Sequence, residues 1–166
     1  MLKFSYLKQP PRRYTFEMPK LYDWLIERCE GRTLNLFAGL VLLKGVDEVR
    51  VDIDCTMPKI DYCIDAFKFV EMAALTGLKF KTVILDPPYN VRKSREKYDG
   101  KWIGSFTKIK DILPSIVADG GKVITFGYSS VGMSKSRGFE LEEILLICHS
   151  GDYSDTIVTV ERKAVA

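Results

Sequence analysis

Thr82-Val-Ile-Leu-Asp-Pro-Pro-Tyr89 is the stretch that decides how this chain folds. Its first half is a short apolar run with no polar alternation, the pattern of a strand buried on both faces of a parallel sheet. The strand runs straight into a turn of unusual chemistry. Two consecutive prolines, Pro87 and Pro88, carry no N–H, so the backbone there offers carbonyl acceptors only. Asp86 adds a carboxylate acceptor and Tyr89 a flat aromatic face. In an open parallel sheet, ligands bind outside the carboxyl ends of the strands, which is where this turn falls. A rigid, acceptor-rich turn beside an aromatic plate suits a planar guest that bears an NH2 donor.

Working outward, apolar strands alternate with helical or turn connections. Upstream, Thr33-Leu-Asn-Leu-Phe37 reads as a first strand closed by Ala38-Gly39, and Glu48 to Asp54 as a second, strictly alternating one. Ile60 to Ile64 is a weaker third. Before them, Pro19 opens an amphipathic helix that runs to Cys29 with Leu21, Trp24 and Leu25 on one face; proline suits the first helical turn because its missing N–H would have no partner there. Ala66 to Leu75 has helical spacing and ends at Gly77. Downstream, Phe106 to Val117 reads as a helix broken by Gly120-Gly121, and Lys122 to Phe126 as a strand. Phe139 to Cys148 and Thr156 to Val160 are joined by a connection too short for a crossover helix, so they pair antiparallel as a hairpin. The expected fold is α/β: a doubly wound, mostly parallel sheet with a C-terminal antiparallel hairpin. The connections after the first two strands are too short for full helices, so the architecture is trimmed. One domain spans residues 1–166, with 1–18 as a basic extended arm and 19–163 as the core.

The bulk numbers fit an ordinary globular chain. With 166 residues and 46% hydrophobic content it is too apolar to be disordered. A net charge of +3 permits nucleic acid without demanding it. Cys29, Cys55, Cys63 and Cys148 show no CxxC pairing, and His149 is the only histidine, so no metal site is expected. The four cysteines read as free thiols of a reducing cytosol. The N-terminus lacks the long apolar core of a signal peptide, and no stretch approaches a membrane span, which makes a soluble, cytoplasmic protein the expectation.

Asp86-Pro-Pro-Tyr89 resembles the catalytic DPPY motif of the S-adenosylmethionine-dependent amino-methyltransferases, a Rossmann-like family. The resemblance implies that Asp86 and the Pro87 carbonyl, with Pro88 completing the rigid turn, hold the amino group of a flipped-out base that stacks on Tyr89. Methyl transfer would then be direct, with positioning and electrostatics doing most of the work. The rest of the chain resembles the family in the same order. Asn35-Leu-Phe-Ala-Gly39 is similar to its first motif, which places Asn35, Phe37, Ala38 and Gly39 at the cofactor. Asp52 matches the acidic residue that grips the ribose hydroxyls, with Asp54 as the fallback. Ile64-Asp65-Ala66 resembles the third motif, where Asp65 meets the adenine and Ala66 lies beside it. Two departures stand out. The family usually has an acidic residue at the position of Asn35 and a second glycine at that of Val41.

Arg92-Lys-Ser-Arg-Glu-Lys-Tyr98 follows the catalytic motif directly. Arg92, Lys93 and Arg95 could neutralise phosphates, while Tyr98 and Trp102 could stack on unpaired bases. A second basic segment, Lys8 to Tyr14, is expected on the same face. The chain leaves no room for a separate target-recognition region, which favours a structured RNA over DNA, or a partner protein that supplies recognition. Adenine N6 is the first target atom and guanine N2 the second. Two other readings remain: N5 methylation of a protein glutamine, and a non-catalytic methyltransferase-like subunit that binds RNA or a partner. A nicotinamide-binding enzyme would need GxGxxG after the first strand, and Phe37 to Leu43 lacks it.

Overall fold

The structure, a computed structural model, describes residues 1–87 and 102–166, with the side chains of 102–105 outside the description. An eight-stranded sheet runs in the order β1-β7-β8-β6-β5-β2-β3-β4. Its strands are β1 (Lys3–Lys8), β2 (Thr33–Asn35), β3 (Glu48–Asp52), β4 (Tyr62–Cys63), β5 (Phe80–Leu85), β6 (Val117–Gly127), β7 (Phe139–Cys148) and β8 (Thr156–Lys163). Every neighbouring pair is parallel except those involving β8, which is antiparallel to both β6 and β7. The expected mostly parallel sheet with a terminal hairpin is therefore present.

Among the described residues three α-helices flank the sheet: α1 (Pro19–Ile26), α2 (Ala66–Thr76) and α3 (Trp102–Ile116). Alternation along the strands sends side chains to opposite faces. Val83 and Leu85 of β5 join the core under α2 and α3, with Phe69, Ile109 and Leu113, while Ile84 joins the core under α1, with Leu21 and Leu25. The α2 helix ends where the sequence foretells, at Gly77, while Asp65, expected at the adenine, is its N-cap. Asp65 caps the first turn by accepting from Phe67 N and Lys68 N, and Gly77 closes the last turn in the left-handed conformation.

Several element boundaries move. The first expected strand shortens to Thr33–Asn35, and the second ends at Asp52, leaving Asp54 in a turn where it accepts from Thr56 N at 2.9 Å. The helix before Gly120 starts earlier than expected, and the strand after it begins at Val117, so the two glycines lie within β6 rather than before it. There the pairing with β5 shifts register, and a Cβ on Gly121 would lie 2.7 Å from the Ala118 carbonyl. Glycine is needed for that close approach.

Two expectations are overturned. The N-terminal segment is more than an extended arm: Lys3–Lys8 adds an edge strand parallel to β7. It escapes a sequence reading because only Leu7 of its apolar side chains faces the core, while Phe4 and Tyr6 are exposed. Nor are all four cysteines free. Cys55 and Cys63 form a disulfide with 5.3 Å between Cα atoms, well inside the span a disulfide bridges. Cys29 and Cys148 remain as thiols. The pair is formed because β4 folds back beside the end of β3, a proximity that an eight-residue separation does not advertise.

One carboxylate ties α1 and β1 to the hairpin. Glu143 of β7 accepts from Arg28 Nε at 2.7 Å and Arg28 Nη2 at 2.8 Å, from Trp24 Nε1 at 3.3 Å and from Ser5 Oγ at 3.3 Å. Burial pushes its pKa up, but the Arg28 hydrogen bonds and the charges of Arg28 and Lys3 outweigh it and leave the group below the usual glutamate range. A depressed carboxylate stabilises the fold fully above its unfolded value of about 4.5 and loses that contribution as pH falls through the lower folded value. Glu143→Ala is expected to cost about 3 kcal/mol at pH 7 by removing the buried partner of Arg28 and leaving it only the exposed Glu27. Glu143→Gln should flatten the loss of stability below pH 4.5, as followed by chemical denaturation across pH. Identical pH profiles for wild type and Glu143→Gln would show that this carboxylate is not a source of the acid sensitivity.

Candidate functional site

The carboxyl ends of β2, β3, β5 and β6 open onto one cleft of about 920 Å³. A smaller cavity of about 320 Å³ lies at the opposite ends of β2 and β3, around Gly31 and Asp47. The larger cleft is the candidate site, because parallel sheets bind ligands at their carboxyl ends and its volume lies near the top of the range for small-molecule sites.

The bank beneath β2 and β3 is built from the loop after β2. Phe37, Ala38 and Gly39 all line the cleft. The loop is held from several sides: Ala38 N donates to Val51 O at 2.9 Å and Gly39 N to Asp52 Oδ2 at 2.8 Å. Gly39 has φ +59°, a conformation in which a side chain would be strained. No helix follows. In its place Arg50, buried on β3, donates from Nη1 to Val41 O at 2.8 Å, from Nη2 to Gly39 O, and from Nε to Pro58 O at 3.1 Å. Glu48 completes the brace. It accepts from Arg50 Nη1 at 3.0 Å, from Asn35 Nδ2 at 2.8 Å and from Leu43 N at 3.2 Å.

Asn35 thus stands behind the loop and not in the cleft: it is fully buried and does not line the cavity. The carboxylate lacking at position 35 is supplied next door by Glu48. Asp52 lines the cleft, and its oxygens already accept from Gly39 N and from Asp54 N at 2.9 Å. Each carboxylate oxygen has a second lone pair, so the group can still receive hydroxyl donors. Asp54 and Ala66 line the cleft too. Asp65 does not, and its Oδ1 is committed to capping α2.

Asp86 and Pro87 follow β5 and line the same cleft, half-buried. The turn after the buried strand is therefore brought together with the loop after β2 and with Asp52. Pro88, Tyr89, Arg92, Lys93, Arg95 and Tyr98 lie outside the described residues, and of Trp102 only its place at the start of α3 is described.

The structure brings Pro11 to Tyr14 of the second basic segment into the cleft and adds residues that sequence reading missed. Tyr14 lies against the loop after β2, with its Cδ1 3.6 Å from where a Gly39 Cβ would be. Tyr128 follows β6, and His149, Asp152 and Tyr153 come from the β7–β8 turn. Tyr128 was within reach of the sequence, since it directly follows a parallel strand. The hairpin turn carried no such signal. Among the described residues no group of three or more side chains is arranged to hold a metal ion, and no helix is long and apolar enough to cross a membrane.

No protein-family model matches the sequence, and no curated protein matches it. Solved structures do resemble it. An S-adenosylmethionine-dependent methyltransferase from Agrobacterium tumefaciens superposes with a TM-score of 0.55 at 14% identity, over 87% of this chain and 61% of that one. TrmN from Thermus thermophilus gives 0.59 at 14% identity, over 88% of this chain and 49% of that one. A Haemophilus influenzae protein, HI0767, proposed to be a methylase, gives 0.51 at 10% identity over 94% and 92% of the two chains. The chain thus spans about half to three-fifths of the first two and nearly all of the third. At such low identity the likeness concerns the fold, and the chain has the fold of the S-adenosylmethionine-dependent methyltransferases.

Proposed function

We propose that this chain is an S-adenosylmethionine-dependent methyltransferase acting on an exocyclic amino group of a nucleic-acid base, adenine N6 first and guanine N2 second, in RNA ahead of DNA. The observation that carries the reading is the meeting of Asp86 and Pro87 with Gly39 and Asp52 in one cleft at the carboxyl edge of the sheet.

The residues present fit the cofactor. Phe37, Ala38 and Gly39 offer backbone at close range, and Asp52 offers acceptors for ribose hydroxyls. Ile53, half exposed, and Met57 offer apolar surface on the same side for the adenine. When bound, S-adenosylmethionine supplies an electrophilic methyl group on a sulfonium centre. The chain's own part is to place the amine. The Asp86 carboxylate and the Pro87 carbonyl accept from the two N–H bonds of the amino group and turn its lone pair toward the cofactor side of the cleft. Asp86 also stabilises the positive charge that grows on nitrogen as the bond forms. Tyr89, by the same reading, stacks the base.

The test is transfer of a labelled methyl group from S-adenosylmethionine to separate pools of unmodified ribosomal RNA, transfer RNA, DNA and protein. Label should enter one nucleic-acid pool. Asp86→Ala should lower kcat by about 10²- to 10³-fold while cofactor affinity stays within about twofold. Full activity in that variant would remove Asp86 from catalysis, and label entering only protein would replace the substrate class. Asp52→Ala removes an acceptor from the cofactor side and the anchor of Gly39. It is expected to weaken S-adenosylmethionine binding about tenfold or more in calorimetry. Unchanged affinity would move the ribose role to Asp54.

A further inference from the structure

The cleft is longer than its cofactor side. Beyond Phe37 to Gly39, Asp52 and Asp86 it is lined by Pro11 to Phe16 of the N-terminal segment, with Tyr14 against Gly39, and by Tyr128 and by Asp152, Tyr153 and Ser154 of the β7–β8 turn. Asp52, Asp54 and Asp86 lie on the cofactor side, while Arg12 and Arg13 line the cleft from the N-terminal segment and Asp152 from the β7–β8 turn. Both arginines are exposed, and among the described residues neither pairs with a carboxylate. Tyr153 presents a ring that is 66% exposed.

This wall is built, not trailing. The β1 strand is laddered to β7, and the next residue, Gln9, is fastened three ways. Its N–H donates to Cys148 O at 2.9 Å, its carbonyl meets His149 Nδ1 at 3.0 Å, and its side-chain oxygen accepts from Lys20 N at 3.3 Å. A carbonyl can only accept, so His149 Nδ1 carries the proton of that bond. On its other side His149 Nε2 lies 2.8 Å from Thr156 Oγ1, at the start of β8. The buried imidazole therefore joins the arm at Gln9 to the hairpin at His149 and Thr156, on the same cleft as Arg12, Arg13 and Tyr153.

We infer that this arm-and-hairpin wall is a binding site for the single-stranded nucleotides that flank the target base, with phosphates at Arg12 and Arg13 and a neighbouring base on Tyr153. The inference rests on the proposed function and adds the place and the strandedness of recognition. Unpaired cations fixed in a cleft favour a polyanion, and an exposed ring in the same wall favours a base whose face is not already covered in a duplex.

The test uses fluorescein-labelled mixed-sequence single strands of about twelve nucleotides, RNA and DNA, whose binding is followed by anisotropy across a salt series with S-adenosylhomocysteine saturating. Arg12→Ala with Arg13→Ala should weaken binding more than tenfold and make the salt slope shallower by about 1.4, two phosphate contacts at about 0.7 each. Tyr153→Ala should weaken it about tenfold and leave the slope unchanged. Lys68→Ala with Lys108→Ala, exposed lysines on α2 and α3 that do not line the cleft, removes the same charge and should change affinity less than twofold. An arginine variant that binds like wild type, or a lysine variant that weakens as much, overturns the wall and leaves the nucleic-acid reading standing. Wild type that binds neither strand overturns both, and the labelled-methyl assay with Asp86→Ala still decides the catalytic assignment by itself.

Discussion

Burying a guanidinium costs several kcal/mol unless its donors find partners, and Arg50, at 2% exposure, places four hydrogen bonds on groups in and around the candidate site. Its partners are the Glu48 carboxylate and the carbonyls of Gly39, Val41 and Pro58. The first two of those carbonyls lie in the loop after β2, where the absence of a following helix leaves backbone groups without their usual intrahelical bonds. The third lies in the turn between β3 and β4. One side chain therefore holds both banks of the cofactor side. Its own N–H donates to Asp61 Oδ2 at 2.8 Å, and Asp61 N donates back to Arg50 O at 2.9 Å, which carries the restraint into β4.

This arrangement gives physical content to the trimming of the fold. A helix after β2 would satisfy the loop's backbone within itself and would present its N-terminus to the cofactor. Here a buried ion pair on the neighbouring strand does the holding, and Asn35 is recruited as a donor to Glu48 in place of an acidic residue. Val41 is tolerated because its carbonyl is used by Arg50 and its side chain packs against the core under α1. Asn35 and Val41 thus belong to one arrangement built around Glu48 and Arg50.

The edge of the sheet works by the same kind of exchange. β1 and α1 are fastened through Glu143, and the segment between them becomes a wall of the cleft. The basic Lys8 to Tyr14 run, ambiguous as sequence, gains its meaning from what it stands beside: the hairpin turn on one flank and the carboxyl ends of the parallel strands on the other.

The alternation of apolar strands and helices, the helix end at Gly77, the hairpin at the C-terminus and the position of Asp86 directly after the buried strand were legible in the sequence. Each depends on residues within a few positions of one another, where periodicity, proline geometry and donor inventory act directly. What escaped depends on register across the sheet. Arg28 meets Glu143 across 115 positions, and His149 meets Gln9 across 140. The edge strand β1 and the meeting of the N-terminal segment with the β7–β8 turn exist only because strand order brings such distant residues together, while the Cys55–Cys63 bridge and the Arg50 brace join nearer residues whose approach is set by how the loops fold back along β3. The sequence by itself determined the chemistry of the turn and the class of the fold. Only the tertiary structure decided which side chains share the cleft, because a hydrogen bond between remote residues is specified by packing and leaves no local pattern to read.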